Sequence, residues 1–164
     1  MILSIALIVF LVLLDFGIKR YFVSIFELNE TKVIIEGVLK FSNTRNYGAS
    51  FGMLQGQSVF FFIVTLIALG AFGYFLATSN FKTKKVYTLS FVFLIAGTLG
   101  NGIDRLLLGY VIDYCQMPFL PIVGNTIFNL ADVILITGIV LLFVDVMILD
   151  TLKKKKKQET EEHE

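Results

Sequence analysis

The chain has 164 residues, 56% of them hydrophobic and 16% charged, with a mean hydropathy of +0.81 and a formal net charge of +1. A soluble domain keeps charged residues near a quarter of its composition and breaks its apolar runs well before about 18 residues, so these values exclude an ordinary soluble protein and indicate an integral membrane protein. The small net charge offers no basic field for nucleic acid, the lysine run at 153–157 being local, and a lone cysteine, Cys115, excludes an intrachain disulfide framework.

The first apolar run covers 2–18 and ends in Asp15 and Lys19 with no basic leader and no small-residue cleavage site, which predicts a retained span. Beyond it, Val33, Ile34, Ile35, Val38, Leu39 and Phe41 surround a Glu36-Gly37 pair, a pattern that predicts a hairpin and hence a small sheet on the outer surface. The following Arg45-Asn46-Tyr47-Gly48-Ala49-Ser50-Phe51-Gly52 is too rich in glycine for a strand interior and reads as a structured loop. Runs at 59–77 and 86–103 are uncharged, and the second holds Ala96, Gly97, Gly100 and Gly102, small enough to let a neighbouring helix approach closely. A second connection, 105–131, carries Asp113 and returns through Pro118 and Pro121 to a fourth run at 133–149, whose Asp145 is expected to snorkel toward water. At about 1.5 Å of rise per residue each run can cross a hydrocarbon core of about 30 Å. The reading is a single four-span membrane domain over 1–152, all-α in its membrane part, with a charged and disordered tail over 153–164.

Lys82, Lys84 and Lys85 crowd the connection between the second and third runs, and 153–157 follow the fourth, so both belong in the cytoplasm together with both termini. The basic residues Lys19, Arg20, Lys32, Lys40 and Arg45 oppose this, but they are spread along a much longer connection. In this orientation Asp15, Asp104, Asp113 and Asp132 lie at or beyond the outer ends of their helices. Ionisable groups near the bilayer are costly, about 2.5 to 3.5 kcal/mol each on insertion scales, so a cluster of them marks a functional site.

Elimination narrows the chemistry. The sole histidine, His163, lies in the tail on the opposite side from this cluster, which removes Ser-His-Asp and Cys-His arrangements and leaves a zinc site only carboxylates to draw on. No metal or organic cofactor is expected, and Cys115 reads as a small buried residue. What remains is carboxylate chemistry: two carboxyl groups within a few Å cannot both ionise cheaply, so one keeps a proton while the other acts as a base on a shared water. On these grounds Asp132 is either half of such a pair or only a helix cap, and Asp113 either its partner or only a strand or turn aspartate at the interface.

Five short motifs weigh on that choice. Asp15-Phe16-Gly17-Ile18-Lys19, Arg45-Asn46-Tyr47-Gly48-Ala49-Ser50-Phe51, Gly100-Asn101-Gly102-Ile103-Asp104-Arg105, Val111-Ile112-Asp113-Tyr114 and Phe128-Asn129-Leu130-Ala131-Asp132 together resemble, in order, the motif set of lipoprotein signal peptidase, bacterial signal peptidase II, a family of intramembrane aspartic proteases. Phe-Gly after Asp15, where Gln is usual, and Ser50, where Ala is common, depart from the pattern away from its catalytic positions. The resemblance implies four helices with a small extracytoplasmic sheet that cradles substrate. It also implies removal of the signal peptide from prolipoproteins, by a cut before a cysteine that carries diacylglycerol, at the outer face of the cytoplasmic membrane. Asp113 and Asp132 become the catalytic pair, and Asn46, Asn101, Arg105 and Asn129 substrate-binding or supporting residues, although Asn101 also reads as a helix-terminus residue. Asp15, Lys19 and Asp104 become structural support. The implied partners are diacylated prolipoproteins and membrane lipid, and a monomer is expected. The rival reading is a small proton-coupled transporter or channel subunit, for which carboxylates near the midplane would be needed and are lacking in the second and third runs.

Overall fold

The computed structural model describes residues 1–48, 55–121 and 123–149. The motif residues Ala49, Ser50, Phe51 and Gly52, the lysine run at 153–157 and His163 lie outside the described residues. Among the described residues four helices are long and apolar enough to cross a membrane: α1 (Ile2–Ile25), α2 (Ser58–Ala77), α3 (Lys85–Leu108) and α4 (Leu130–Phe143), the last continued by a π-helical stretch, Val144–Leu149. Between them lie β1 (Thr31–Ile35), β2 (Leu39–Asn46), β3 (Val111–Gln116) and β4 (Ile127–Phe128), paired antiparallel as one sheet in the order β1-β2-β3-β4. The connectivity puts this sheet at one end of the bundle, where α1 and α3 end and α2 and α4 begin.

The least apolar of the four helices is the most enclosed. Of its membrane-length stretch 56% is buried in α3, against 6% in the more apolar α2. Lipid tails are as apolar as leucine, so helices associate in a bilayer through close packing and polar contacts, not through hydrophobic burial. The side chains that need partners therefore turn inward: Thr88, Ser90, Asn101 and Asp104 of α3 are all buried, while Val64, Ile67 and Ile139 on other helices stay exposed. The small residues allow the contact. A Cβ at Gly97 would stand 2.5 Å from the carbonyl oxygen of Ala131, and one at Gly100 would stand 2.7 Å from Asp15 Oδ2, so α3 meets α4 and α1 along a glycine seam.

The hairpin forms around Glu36-Gly37, with Gly37 at φ 69°, a region that favours glycine. Two local expectations are corrected. Arg45 and Asn46 belong to β2 and not to a loop, because β2 pairs with β3 through Arg45 opposite Ile112 and Asn46 opposite Val111. Asp145 does not snorkel out; it is buried in the π-helical stretch.

Candidate active site

The site assembles where the sheet meets the helix ends. Its organising element is the first turn of α4, in which Asn129 is the N-cap: its Oδ1 accepts the Asp132 backbone N–H at 3.1 Å, and Asp132 Oδ2 accepts the Asn129 backbone N–H at 3.1 Å. This reciprocal capping box fixes Asp132 on the third helical residue, where the exposed N–H groups favour a carboxylate. The two readings of Asp132 are thus not exclusive, since one oxygen caps the helix and the other is free for a different partner. That partner is the Asn101 amide, whose Nδ2 donates to Asp132 Oδ1 at 2.7 Å.

Asp113 lies in β3, buried, with both oxygens engaged: Asn129 Nδ2 donates to Oδ1 at 2.7 Å and Asn46 Nδ2 donates to Oδ2 at 2.8 Å. Asn129 Nδ2 also reaches Asn101 Oδ1 at 3.1 Å. A line of amides, Asn46, Asn129 and Asn101, therefore links the two aspartates from strand to helix. Burial, and then the neighbouring Asp132 carboxylate, push the Asp113 carboxyl up to about 7, against the amide donors from Asn46 and Asn129 and the charge of Lys19, which pull it down.

Behind the amides stands a buried ion group. Lys19 Nζ lies 2.8 Å from Asp15 Oδ2 and 3.0 Å from Asp104 Oδ2, and donates to Asn101 Oδ1 at 3.1 Å. Each acid also holds a backbone group of another element, since Asp15 Oδ1 accepts the Ala131 N–H at 2.9 Å and Asp104 Oδ2 accepts the Ile112 N–H at 3.2 Å. Asp15 is not at a helix end, as its charge suggested, but inside a helix that continues to Ile25, where Lys19 neutralises it; Asp104 lies one turn from the end of α3 at Leu108 and shares the same cation. Asn101 is likewise an interior residue of α3 and not a terminal one.

Arg105 reaches the other side of the site, where Nη2 donates to the Gly48 carbonyl at 3.1 Å and the guanidinium lies 4.6 Å from the centre of the Phe61 ring. Asp113, Asp132, Asn46, Asn101 and Arg105 all line a cavity of about 1050 Å³ that runs from the sheet down between α2, α3 and α4, past Phe61, Val64, Phe72 and Ile136. Among the described residues no cluster of three or more His, Cys, Asp or Glu side chains is placed to hold a metal ion. Cys115 faces away, packed with Phe22, Phe26 and Tyr114, and burial pushes its thiol up. Cys115→Ala is expected to leave the activity of the carboxylate site within about twofold of the parent, since a buried, protonated thiol is inert; a steady-state assay of the purified variant checks this.

A polar cluster enclosed by four helices of membrane-crossing length, beneath a small sheet and on the wall of a largely apolar cavity, defines a polytopic membrane protein with a buried carboxylate site. The family model described as signal peptidase (SPase) II matches residues 7–148, and the chain belongs to that family. It is 38% identical over 148 residues to the lipoprotein signal peptidase of Lactiplantibacillus plantarum, covering 90% of this chain and 96% of that protein. To the lipoprotein signal peptidase of Enterococcus faecalis it is 36% identical over 150 residues, covering 92% and 91%. A bacterial membrane enzyme structure solved by the in meso method at 2.3 Å superposes with a TM-score of 0.77 at 33% identity, over 88% of this chain and 87% of that one. Nothing in these likenesses supports a transporter.

One contributor was missed in the sequence. Tyr114, which stands in one of the five motifs but was given no role, carries a hydroxyl that accepts the Leu130 N–H at 3.0 Å, a contact that its place beside Asp113 does not reveal.

Proposed function

We propose that the chain is an intramembrane aspartic endopeptidase that removes signal peptides from diacylglyceryl-modified prolipoproteins, with Asp113 and Asp132 as the catalytic pair. The observation that carries this reading is the amide line joining two carboxylates on the wall of a largely apolar cavity between α2, α3 and α4. Asp113, raised to about 7, is the member that holds the proton. Asp132 takes a proton from a water between them, the resulting hydroxide attacks the scissile carbonyl carbon, and Asp113 gives its proton to the carbonyl oxygen. Collapse of the tetrahedral intermediate breaks the C–N bond as Asp132 gives its proton to the leaving amine and Asp113 takes one from a gem-diol hydroxyl, which leaves the new carboxyl group and restores the pair. Asn46, Asn101 and Asn129 hold the carboxylates in place, and Arg105 presents donors to substrate carbonyls.

The apolar length of the cavity suits the substrate lipid. Each buried methylene contributes about 0.8 kcal/mol, so two acyl chains both bind the substrate and set the depth of its scissile bond. The lysines at 82, 84 and 85 support placing both termini in the cytoplasm and the pair at the outer face of the cytoplasmic membrane, where water is at hand. The polar network closes within one chain, which favours a monomer.

The test is a comparison of one prolipoprotein with and without diacylglycerol. The unlipidated form is expected to be cut at least about a hundredfold more slowly, because a misplacement of about 1 Å costs that much. Equal rates would sink the depth argument, and no cleavage of the lipidated form would sink the assignment.

A further inference from the structure

The backbone N–H groups at the start of a helix have no partner within it, and α4 begins at the site. Its first turn is satisfied from three directions. Leu130 N–H goes to the Tyr114 hydroxyl at 3.0 Å, Ala131 N–H to Asp15 Oδ1 at 2.9 Å, and Asp132 N–H to Asn129 Oδ1 at 3.1 Å. The Tyr114 bond is the one that reaches across from the other aspartate's strand. Tyr114 follows Asp113 in β3, so their side chains leave the sheet on opposite faces: Asp113 toward the cavity, Tyr114 toward α1, where its ring stacks on Phe22 at 4.2 Å between centroids and 8° between planes. Phe22 in turn meets Phe26 and Phe41. The phenol is thereby anchored by aromatic packing and can deliver its oxygen to one place only.

We infer that Tyr114 is a positioning residue for the proposed reaction: its hydroxyl caps the first N–H of α4 and so sets the spacing between the strand that bears Asp113 and the helix turn that bears Asp132. The inference rests on the peptidase reading and adds to it a residue that touches neither substrate nor the catalytic carboxylates. Burial pushes the phenol up, so it stays neutral and its oxygen remains an acceptor. Without it the Leu130 N–H loses its partner and the seam between β3 and the first turn is left to the Asn129 side chain on Asp113 and the Ile112 carbonyl, so the turn loosens and the two carboxylates move apart. Their mutual repulsion then weakens.

Tyr114→Phe removes the oxygen and keeps the ring that packs on Phe22. With diacylated prolipoprotein as substrate, kcat is expected to fall on the order of tenfold with KM within about twofold, and the alkaline limb of the kcat/KM profile to move to lower pH. Val92→Ala, a fully buried change within the bundle core, is the control for lost stability and is expected to lower the thermal midpoint without moving that limb. A second arm removes the donor. Proline suits the first helical position, and Asn129 before it is already extended, at φ −130° and ψ −178°. In a Leu130→Pro background Tyr114→Phe is therefore expected to have no further effect on kcat. Wild-type kcat and pH profile in Tyr114→Phe, or the same loss in both backgrounds, would overturn the inference while leaving the peptidase reading standing. A wild-type protein that cuts no prolipoprotein would instead overturn the reading beneath it.

Discussion

Asp113→Asn and Asp132→Asn are each expected to lower cleavage of diacylated prolipoprotein on the order of 10⁴-fold, the scale seen when one member of a catalytic unit is removed. Asparagine keeps the shape and one acceptor oxygen at each position, so one of the two donors at each carboxylate keeps its partner while the other faces an amide NH2, and the purified variants should fold with a loss of about 1–3 kcal/mol. What is lost is the ability to hold and release a proton. The wild-type profile should show the same thing from the other side. Asp113 releases its proton near pH 7, far above its ordinary 3.8, so kcat/KM is expected to fall as pH rises through that value. The Asn46 amide favours the charged form of Asp113, and Asn46→Ala should therefore move this limb to higher pH. Stability follows the same sign: the native state binds the extra proton between about 3.8 and about 7, so the group's contribution is full below that window and lost on rising through it. Appreciable turnover by either Asn variant would remove that residue from the pair.

Lys19→Met is expected to destabilise the protein by about 3–5 kcal/mol, the usual result of removing one partner from a buried ion group. Asp15 and Asp104 would be left facing each other without a cation, and both anchor other parts of the site through Ala131 and Ile112. Asn101 Oδ1 would also lose one of its two donors, keeping only Asn129 Nδ2, so the amide that points at Asp132 would be held less firmly. Thermal unfolding in detergent reads the first effect and kcat the second. Asp104→Asn in the same chain is expected to recover part of the midpoint, since it removes one of the stranded charges; a midpoint unchanged by Lys19→Met would show that the ion group holds nothing together.

The four spans were legible because long uncharged runs have no other physical outcome, and the hairpin because Glu36-Gly37 interrupts a β-branched stretch. Asp132 could be placed at a helix start from the apolar run behind it. Charge misled in α1. Lys19 and Asp15 looked like helix-end residues because an isolated charge belongs near water, whereas with Asp104 they meet in the interior and satisfy one another, and their meeting is a fact of tertiary packing. The loop reading of Asn46 failed for a similar reason: the glycines beside it argued for a loop, while its pairing with Val111 comes from a segment far along the chain. Tyr114 was silent because a phenol that caps a distant helix and one that fills a core look alike in sequence.

The burial of α3, the least apolar helix, bears on how the protein is made. Threaded into the membrane in chain order, α3 arrives carrying Asn101 and Asp104, and Lys19 on α1 is already there to meet them. Asp132, Asn129 and the acceptors for the glycine seam arrive only with α4. A chain halted before α4 has no helix start to seat Asp132, so on the function proposed above proteolytic competence would switch on only with the insertion of the final helix.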